Sequence, residues 1–225
     1  MPSTIFLLRL AKILVVTAVG CMSLLVVVGN ISDYYTNYHF VEHVIKMDTI
    51  FPDSHVHYRS IGNVFVFHTA YIFIILMEAL MTFCCLKGGW RMYKNLRKDP
   101  ATFHASKNWA VAGIIIGILI WFFGFEVVGG EWFAMWQSSS WNGLNAAERI
   151  VSFLMLVLLL LHLKDGEVKN EWKISVNKIW IMKKERIIRF VVYVVVGFVC
   201  AFLYSYFKNK WRRTTAIPIV KMIFF

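Results

Sequence analysis

Five apolar stretches dominate this chain, and each is long enough to cross a bilayer as a helix, which takes about 20 residues. Hydrophobic residues make up 59% of the 225 residues, above the roughly 45–50% of a typical soluble domain. Because lipid must cover this excess, the sequence predicts an all-α, polytopic transmembrane helix bundle with a four-helix core and a fifth, C-terminal helix. The stretches are Ile5–Val28, Val64–Leu86, Trp109–Val128, Ala146–Leu163 and Ile187–Phe207.

Charge divides the chain into three predicted parts. Residues 1–163 form the four-helix membrane domain, residues 164–186 form a Lys-rich cytoplasmic linker, and residues 187–225 hold the additional helix and a basic tail. If the fifth helix crossed the membrane, it would export this basic tail, which conflicts with the usual placement of positive charge. A segment that lies on the membrane surface, or one that re-enters the membrane, is therefore the alternative for the fifth helix.

The positive charges also predict orientation. Six Lys and Arg residues lie between the second and third predicted helices, whereas the connection between the third and fourth has only Arg149, at the start of the fourth helix. The positive-inside rule then places the N-terminus and the second and fourth connections in the cytoplasm. The net charge of +11 is explained by this orientation, so the bilayer, and not nucleic acid, is the expected partner.

The second predicted helix carries a polar stripe that should point into the bundle, because its members recur on one face of a helix with 3.6 residues per turn. An ionised carboxylate at the bilayer centre is unfavourable by at least roughly 2.5 kcal/mol. Glu78 is therefore expected to be protonated, paired or next to a water-filled cavity. The stripe consists of His68, Tyr71, Glu78, Thr82 and Cys85.

His68 and Glu126 lie at similar predicted depths, about 10 Å from the membrane centre. This allows a contact between neighbouring helices. A structural interhelical contact, or wetting by lipid headgroups, is favoured over a proton relay. On the third helix, the Gly113-x-x-x-Gly117 spacing lets another backbone approach closely, which predicts either a packed bundle or a dimer face.

The first outer connection, residues 30–63, mixes aromatic, apolar and acidic residues, and this predicts a short amphipathic helix at the membrane interface. It holds four histidines. His39 and His43 would share a helix face, while His55 and His57 alternate as in an extended strand. Metal binding by these four is possible but less favoured than interfacial or hydrogen-bonded histidines, because the spacing lacks further signature residues.

The second outer connection is rich in tryptophan. Trp132 and Trp136 are predicted to lie one helical turn apart, with Trp141 beyond them. Indole rings favour the headgroup region of the bilayer, so an aromatic belt is the favoured interpretation and an aromatic ligand platform is the alternative.

Four loop segments of this chain carry a distinctive combined pattern: Gly29–Tyr34, Met47–Asp53, Val127–Ser138 and Trp141–Gly143. Together they resemble a known family, the bacterial predicted small integral membrane proteins of domain-of-unknown-function family 2165. The resemblance covers about Arg9–Leu163 and implies a four-helix bundle in a bacterial inner membrane, without catalytic residues. The chain after Lys164 departs from the family pattern.

Three hypotheses for function follow. The first is a non-enzymatic membrane subunit or accessory protein that binds a membrane protein or a second copy. The second is a small proton-coupled transporter in which Glu78 titrates and His68 with Glu126 forms an outer gate. The third is a haem-bearing electron carrier, which is disfavoured because His68 and His162 lie at opposite depths, so His39 or His43 would have to join His68. No catalytic motif is present, and neither enzymatic activity nor a cofactor is predicted.

Overall fold

A computed structural model describes residues 3–166 and residue 168. In this part of the chain, four helices are long and apolar enough to span a membrane: Thr4–Ser32, Val64–Lys94, Pro100–Trp132 and Leu144–His162. The predicted all-α bundle and its four core spans are thus confirmed. The predicted fifth helix, the basic tail and nearly all of the linker lie outside the described residues.

The described elements follow one another with short connections. Local sequence explains where the helix at Pro100 begins. Asp99 accepts a hydrogen bond from the Thr102 amide at 2.9 Å, and Pro100 is in the first helical position, as is common at helix N-termini. In order they are α1 (Thr4–Ser32), α2 (Tyr34–Lys46), a 3₁₀ turn (His57–Arg59), α3 (Val64–Lys94), α4 (Pro100–Ala105), α5 (Asn108–Ile118), a π-helix (Leu119–Trp132), a second 3₁₀ turn (Met135–Gln137) and α6 (Leu144–His162).

The α3 helix lies at the centre, packed against α1 and α5. Glycines allow the approach to α5: a Cβ atom on Gly88 would lie 2.4 Å from the Ala110 nitrogen, and one on Gly113 would lie 2.5 Å from Cys85 Sγ. On Gly117 it would meet Leu154 and Met81 at 2.8 Å. The small-residue face of α5 is therefore occupied within the chain, which agrees with the packed-bundle interpretation of the Gly113-x-x-x-Gly117 motif.

The third span changes its winding near the middle of its length. It is an α-helix to Ile118 and a π-helix from Leu119 to Trp132. Phe133 closes it by donating its amide hydrogen to the Val128 carbonyl at 3.0 Å. Most π-helices are single-turn bulges, often at functional sites, so this long one is unusual. The apolar pattern of the sequence did not predict it.

The bundle has two different ends. Here "the basic end" means the start of α1, the end of α3, α4, the start of α5 and the end of α6. "The cap" means α2 together with residues 47–62 and 133–143. The predicted amphipathic helix of the first connection is present as α2, which buries Tyr38, Phe40, Val41 and Ile45 against the bundle.

Candidate functional site

A hydrogen-bonded network surrounds Glu78 in the middle of the bundle. Glu78 is 4% exposed, and its Oε2 accepts a hydrogen bond from Asn30 Nδ2 at 2.7 Å. Asn30 Oδ1 in turn accepts from Asn37 Nδ2 at 2.7 Å. Because Asn37 is an exposed residue of α2, the chain of bonds connects Glu78 to the cap. Among the predicted alternatives for Glu78, pairing with a polar partner is the one observed.

Hydroxyl groups complete this network. Ser23 donates to the Glu78 carbonyl at 3.0 Å, Thr82 Oγ1 lies 2.9 Å from Ser23 Oγ, and Tyr71 donates to the Asn30 carbonyl at 3.3 Å. The predicted inward stripe is thus buried, apart from the half-buried His68. Sequence reasoning missed Ser23 and Asn30. Their spacing of seven residues, two turns on one face of α1, was the available signal.

His68 belongs to an aromatic cluster under α2. Its Nδ1 lies 2.8 Å from the Tyr34 hydroxyl, and its ring stacks on Tyr38 with centroids 4.3 Å apart. Burial, with a smaller contribution from Tyr38, raises the pKa of Tyr34, so the hydroxyl keeps its proton at neutral pH.

Among the described residues, no hydrogen bond joins His68 and Glu126. The predicted interhelical contact between them is therefore wrong, whereas their wetting by lipid headgroups stays a prediction. Glu126 Oε1 is buried and has no hydrogen-bond partner among the described residues, while Tyr34 occupies His68 Nδ1. Matching the depths of two spans could not reveal this, because the competing partner comes from α2, which does not cross the membrane.

The cap histidines bind different neighbours. His39 pairs with Glu42 at 2.9 Å, His43 pairs with Asp48 at 2.8 Å, and His57 Nε2 lies 3.1 Å from the Phe51 carbonyl oxygen. The predicted extended strand at His55 and His57 is wrong, since His57 begins a 3₁₀ turn. In the part of the chain that the structure describes, no three His, Cys, Asp or Glu residues are grouped as metal ligands.

The tryptophans of the second connection occupy different elements. Trp132 ends the π-helix, Trp136 lies in the second 3₁₀ turn, and Ala134 between them has a left-handed backbone with φ 51°. The predicted one-turn spacing on a single helix is therefore wrong. Trp141 stacks on the His43 ring, with centroids 4.5 Å apart, so it holds α2 against the second connection.

Polar contacts join the two connections of the cap. Thr49 Oγ1 and Ser138 Oγ are 2.7 Å apart, and the Phe51 amide donates to Gln137 Oε1 at 3.3 Å. Arg59 donates to the Trp132 carbonyl at 3.3 Å and lies over the Trp132 ring. The cap is one connected surface, and four of its aromatic side chains are at least half exposed, as is Trp132 beside it: Tyr35, Phe51, Tyr58 and Trp136 belong to the cap, and Trp132 ends the π-helix.

The basic end holds a buried ion cluster that sequence reasoning missed. Lys12 donates to Asp165 Oδ1 at 2.8 Å and to the Leu163 carbonyl at 2.6 Å. Lys107 pairs with Asp165 and donates to the Leu161 carbonyl at 2.8 Å. These contacts connect α1 and α5 to the end of α6. From the sequence, both lysines were expected only to help set the orientation in the membrane.

Arg9 extends this cluster and is fully buried. Its guanidinium donates to the carbonyls of Lys98 at 2.7 Å and Gly166 at 2.8 Å. Burial alone would raise the pKa of Asp165, but hydrogen bonds from Lys107 and Lys12 outweigh it and hold the pKa below its usual range. The carboxylate is therefore ionised at neutral pH and compensates the buried lysines.

Comparison with known proteins agrees with the resemblance seen in the sequence. A family model described as a predicted small integral membrane protein, DUF2165, matches residues 8–164, well over half of the chain. No curated protein and no solved structure matches. The matched region contains all but the first four residues of the first span, the other three spans, the cap and the Glu78 network, and it ends one residue before Asp165. The chain therefore belongs to the DUF2165 family of predicted small integral membrane proteins.

Proposed function

We propose that this protein is a non-enzymatic accessory protein of the bacterial inner membrane, and that its cap binds another integral membrane protein. The observation that carries the proposal is the connected aromatic surface of the cap. Tyr58 is 77% exposed and Trp136 is 51% exposed. Tyr, Trp and Arg are the residue types enriched at the energetic centres of protein interfaces.

The contacts within the cap favour a protein partner over lipid headgroups. The Thr49–Ser138 and Phe51–Gln137 hydrogen bonds hold the aromatic side chains in set relative positions. A surface ordered before association loses less conformational entropy when it binds. Anchoring in headgroups requires aromatic residues at the interface but no particular arrangement of them.

Charge supports an orientation in which the N-terminus and the basic end face the cytoplasm. Exposed cations at the end of α3 and in the following connection, such as Lys94 and Lys98, lie at the same end as Arg9. The cap then faces away from the cytoplasm. Its partner is accordingly a membrane protein with a surface on that side of the membrane.

The interior network supports a structural role for Glu78. Its near neighbour is the side-chain amide of Asn30, a group that donates and accepts hydrogen bonds but has no proton to release near neutral pH. A carrier that titrates Glu78 would need a proton path that passes this amide. In a structural role, Glu78 holds α1 against α3, and this requires only its hydrogen bonds with Asn30 and Ser23.

Copurification tests the proposal. The protein is purified in mild detergent and its partners are quantified by mass spectrometry, for the wild type and for a Tyr58→Ala/Trp136→Ala double variant. We expect one membrane protein in a fixed ratio to the wild type. With the double variant, the amount of partner recovered should fall at least about tenfold. Residues at the centre of an interface each contribute about 2 kcal/mol or more to binding, and 1.4 kcal/mol corresponds to a tenfold change in affinity.

Two controls make the result specific. Trp90→Ala removes an exposed tryptophan at the basic end, and Glu78→Gln changes the interior without altering the cap. Both should keep the partner. Recovery of the wild type alone, or only with further copies of itself, would contradict the proposal, as would loss of the partner in Glu78→Gln but not in the cap variant.

A further inference from the structure

An apolar groove of about 530 Å³ runs between α3 and the π-helix, with α2 over one end. All of its lining residues are apolar or glycine. They include Ile74 and Met77 on one wall and Leu119, Phe123 and Gly124 on the other. Phe73 and Phe123, which also line the groove, are each more than half exposed, so it opens sideways to the surface that faces lipid.

The groove has the length of one lipid leaflet. Its lining on α3 extends from Val66 to Met77, which is about 16 Å at 1.5 Å per residue. The hydrocarbon core of a bilayer is about 30 Å thick, so a single leaflet is about 15 Å. Since α2 covers the end near Val66, the groove lies in the leaflet on the side of the cap.

The groove suits an extended hydrocarbon chain. Its volume of about 530 Å³ extends over about 16 Å, and its lining has no polar side chain. An acyl chain needs no hydrogen-bond partner there, because it carries no polar group.

A cation lies where the headgroup of such a lipid would be. Arg59 donates to the Trp132 carbonyl, next in sequence to Phe133, which lines the groove. Its guanidinium binds carbonyl oxygens and lies over aromatic rings, and among the described residues it forms no ion pair with a carboxylate. A phosphate group is the complement of this charge at headgroup level.

We propose that this groove is a binding site for one acyl chain of a phospholipid from the leaflet on the side of the cap, with Arg59 near the phosphate. The site is independent of the proposed partner protein, because its lining does not include the exposed aromatic residues Tyr58 and Trp136. The winding of the π-helix provides one wall, and Gly124 leaves that wall open.

Photolabelling tests the site. The full chain is placed in nanodiscs that contain a phospholipid with a diazirine on one acyl chain, and labelled peptides are identified after illumination. We expect label concentrated on residues 119–133 and 66–77, and a decrease of at least fivefold in Gly124→Leu. A Cβ on Gly124 would meet only the Leu119 carbonyl oxygen, at 3.8 Å, so the added side chain fills the groove without a backbone clash.

Matched variants keep the test decisive. Gly29→Leu adds the same bulk on α1, where nothing lies within 4 Å of a Cβ, and should leave labelling unchanged. Ala70→Leu fills the groove from its α3 wall and should lower labelling as Gly124→Leu does, even if one of the two fails to fold. Arg59→Gln should lower labelling by the phospholipid but not by a fatty alcohol that carries the same diazirine.

Three results would overturn the proposal. One is label spread evenly over all lipid-facing helices, which indicates surrounding lipid only. Another is equal labelling of Gly124→Leu and Gly29→Leu. The third is cross-linking of a cysteine placed at Phe123 to a second copy or to residues 187–207, which would show that protein occupies the groove.

Discussion

At the scale of single residues, Asp165 is the charge whose removal should matter most. Its side chain is 2% exposed and contacts Lys12 and Lys107. In Asp165→Asn both lysines stay buried without a counter-charge. Removing one partner of a buried ion pair typically lowers the free energy of unfolding by about 3–5 kcal/mol. We therefore expect a clearly lower thermal unfolding temperature in detergent at pH 7.

The difference in unfolding temperature between wild type and Asp165→Asn should become smaller as the pH falls. The pKa of Asp165 is lowered in the folded state, so its stabilisation is complete above the ordinary carboxyl pKa of about 3.9 and decreases as pH falls through the folded pKa. The gap between wild type and Asp165→Asn should shrink in acid. Asp53→Asn, at an exposed cap position, is the control and should match the wild type. Equal unfolding temperatures of Asp165→Asn and wild type at pH 7 would refute the role of this cluster.

Residue roles were the least predictable part of the molecule. The sequence indicated that Glu78 is protonated, paired or next to a water-filled cavity, because a lone carboxylate in hydrocarbon is so unfavourable. It did not identify Asn30 as the hydrogen-bond partner of Glu78, since this depends on how α1 is rotated against α3. Arg9 and Lys12, near the start of the first predicted helix, and Lys107, in the connection before the third, indicated orientation alone, because nothing local distinguishes a buried cation from an exposed one beside the same helix.

At the scale of elements, the packing of α3 against α5 depends on glycine. A Cβ on Gly88 would lie 2.4 Å from the Ala110 nitrogen, so Gly88→Ala should force the helices apart. Overpacking of this kind lowers the free energy of unfolding by about 1–3 kcal/mol. The measurement is thermal unfolding in detergent.

Gly29→Ala, on α1, should not lower the stability of the protein as Gly88→Ala does. Nothing lies within 4 Å of a Cβ on Gly29, and alanine is favoured over glycine inside a helix by about 1 kcal/mol. This variant should be neutral or more stable than the wild type. If both alanine variants shifted the unfolding temperature in the same direction, the close approach of α3 and α5 would be disproved.

The sequence predicted helices well and their winding poorly. Each span has a long apolar run, and within lipid a helix satisfies all of its backbone hydrogen bonds. A π-helix has the same apolar composition as an α-helix, so the change at Leu119 left no hydropathy signal. The predicted spacing of Trp132 and Trp136 failed because the helix ends before Ala134, which has a positive φ.

At the scale of the whole molecule, the account depends on the basic end and the cap lying on opposite sides of one membrane. Four spans with both termini of this domain at the basic end require this arrangement. The contacts of Lys12 with the end of α6 join the two termini, and the cap lies at the other ends of the same helices. Hydropathy and charge predicted this arrangement because both depend on composition, whereas the site depends on which helix faces meet.

Cysteine labelling in intact cells measures this arrangement most directly. A maleimide that cannot cross membranes is applied to His55→Cys in the cap and Lys98→Cys at the basic end, both exposed positions; the wild type is the control for the native cysteines. We predict labelling of His55→Cys in cells whose outer membrane alone is permeabilised, and labelling of Lys98→Cys only after the inner membrane is opened. Labelling of both variants under the same condition, or the reverse order, would contradict the account.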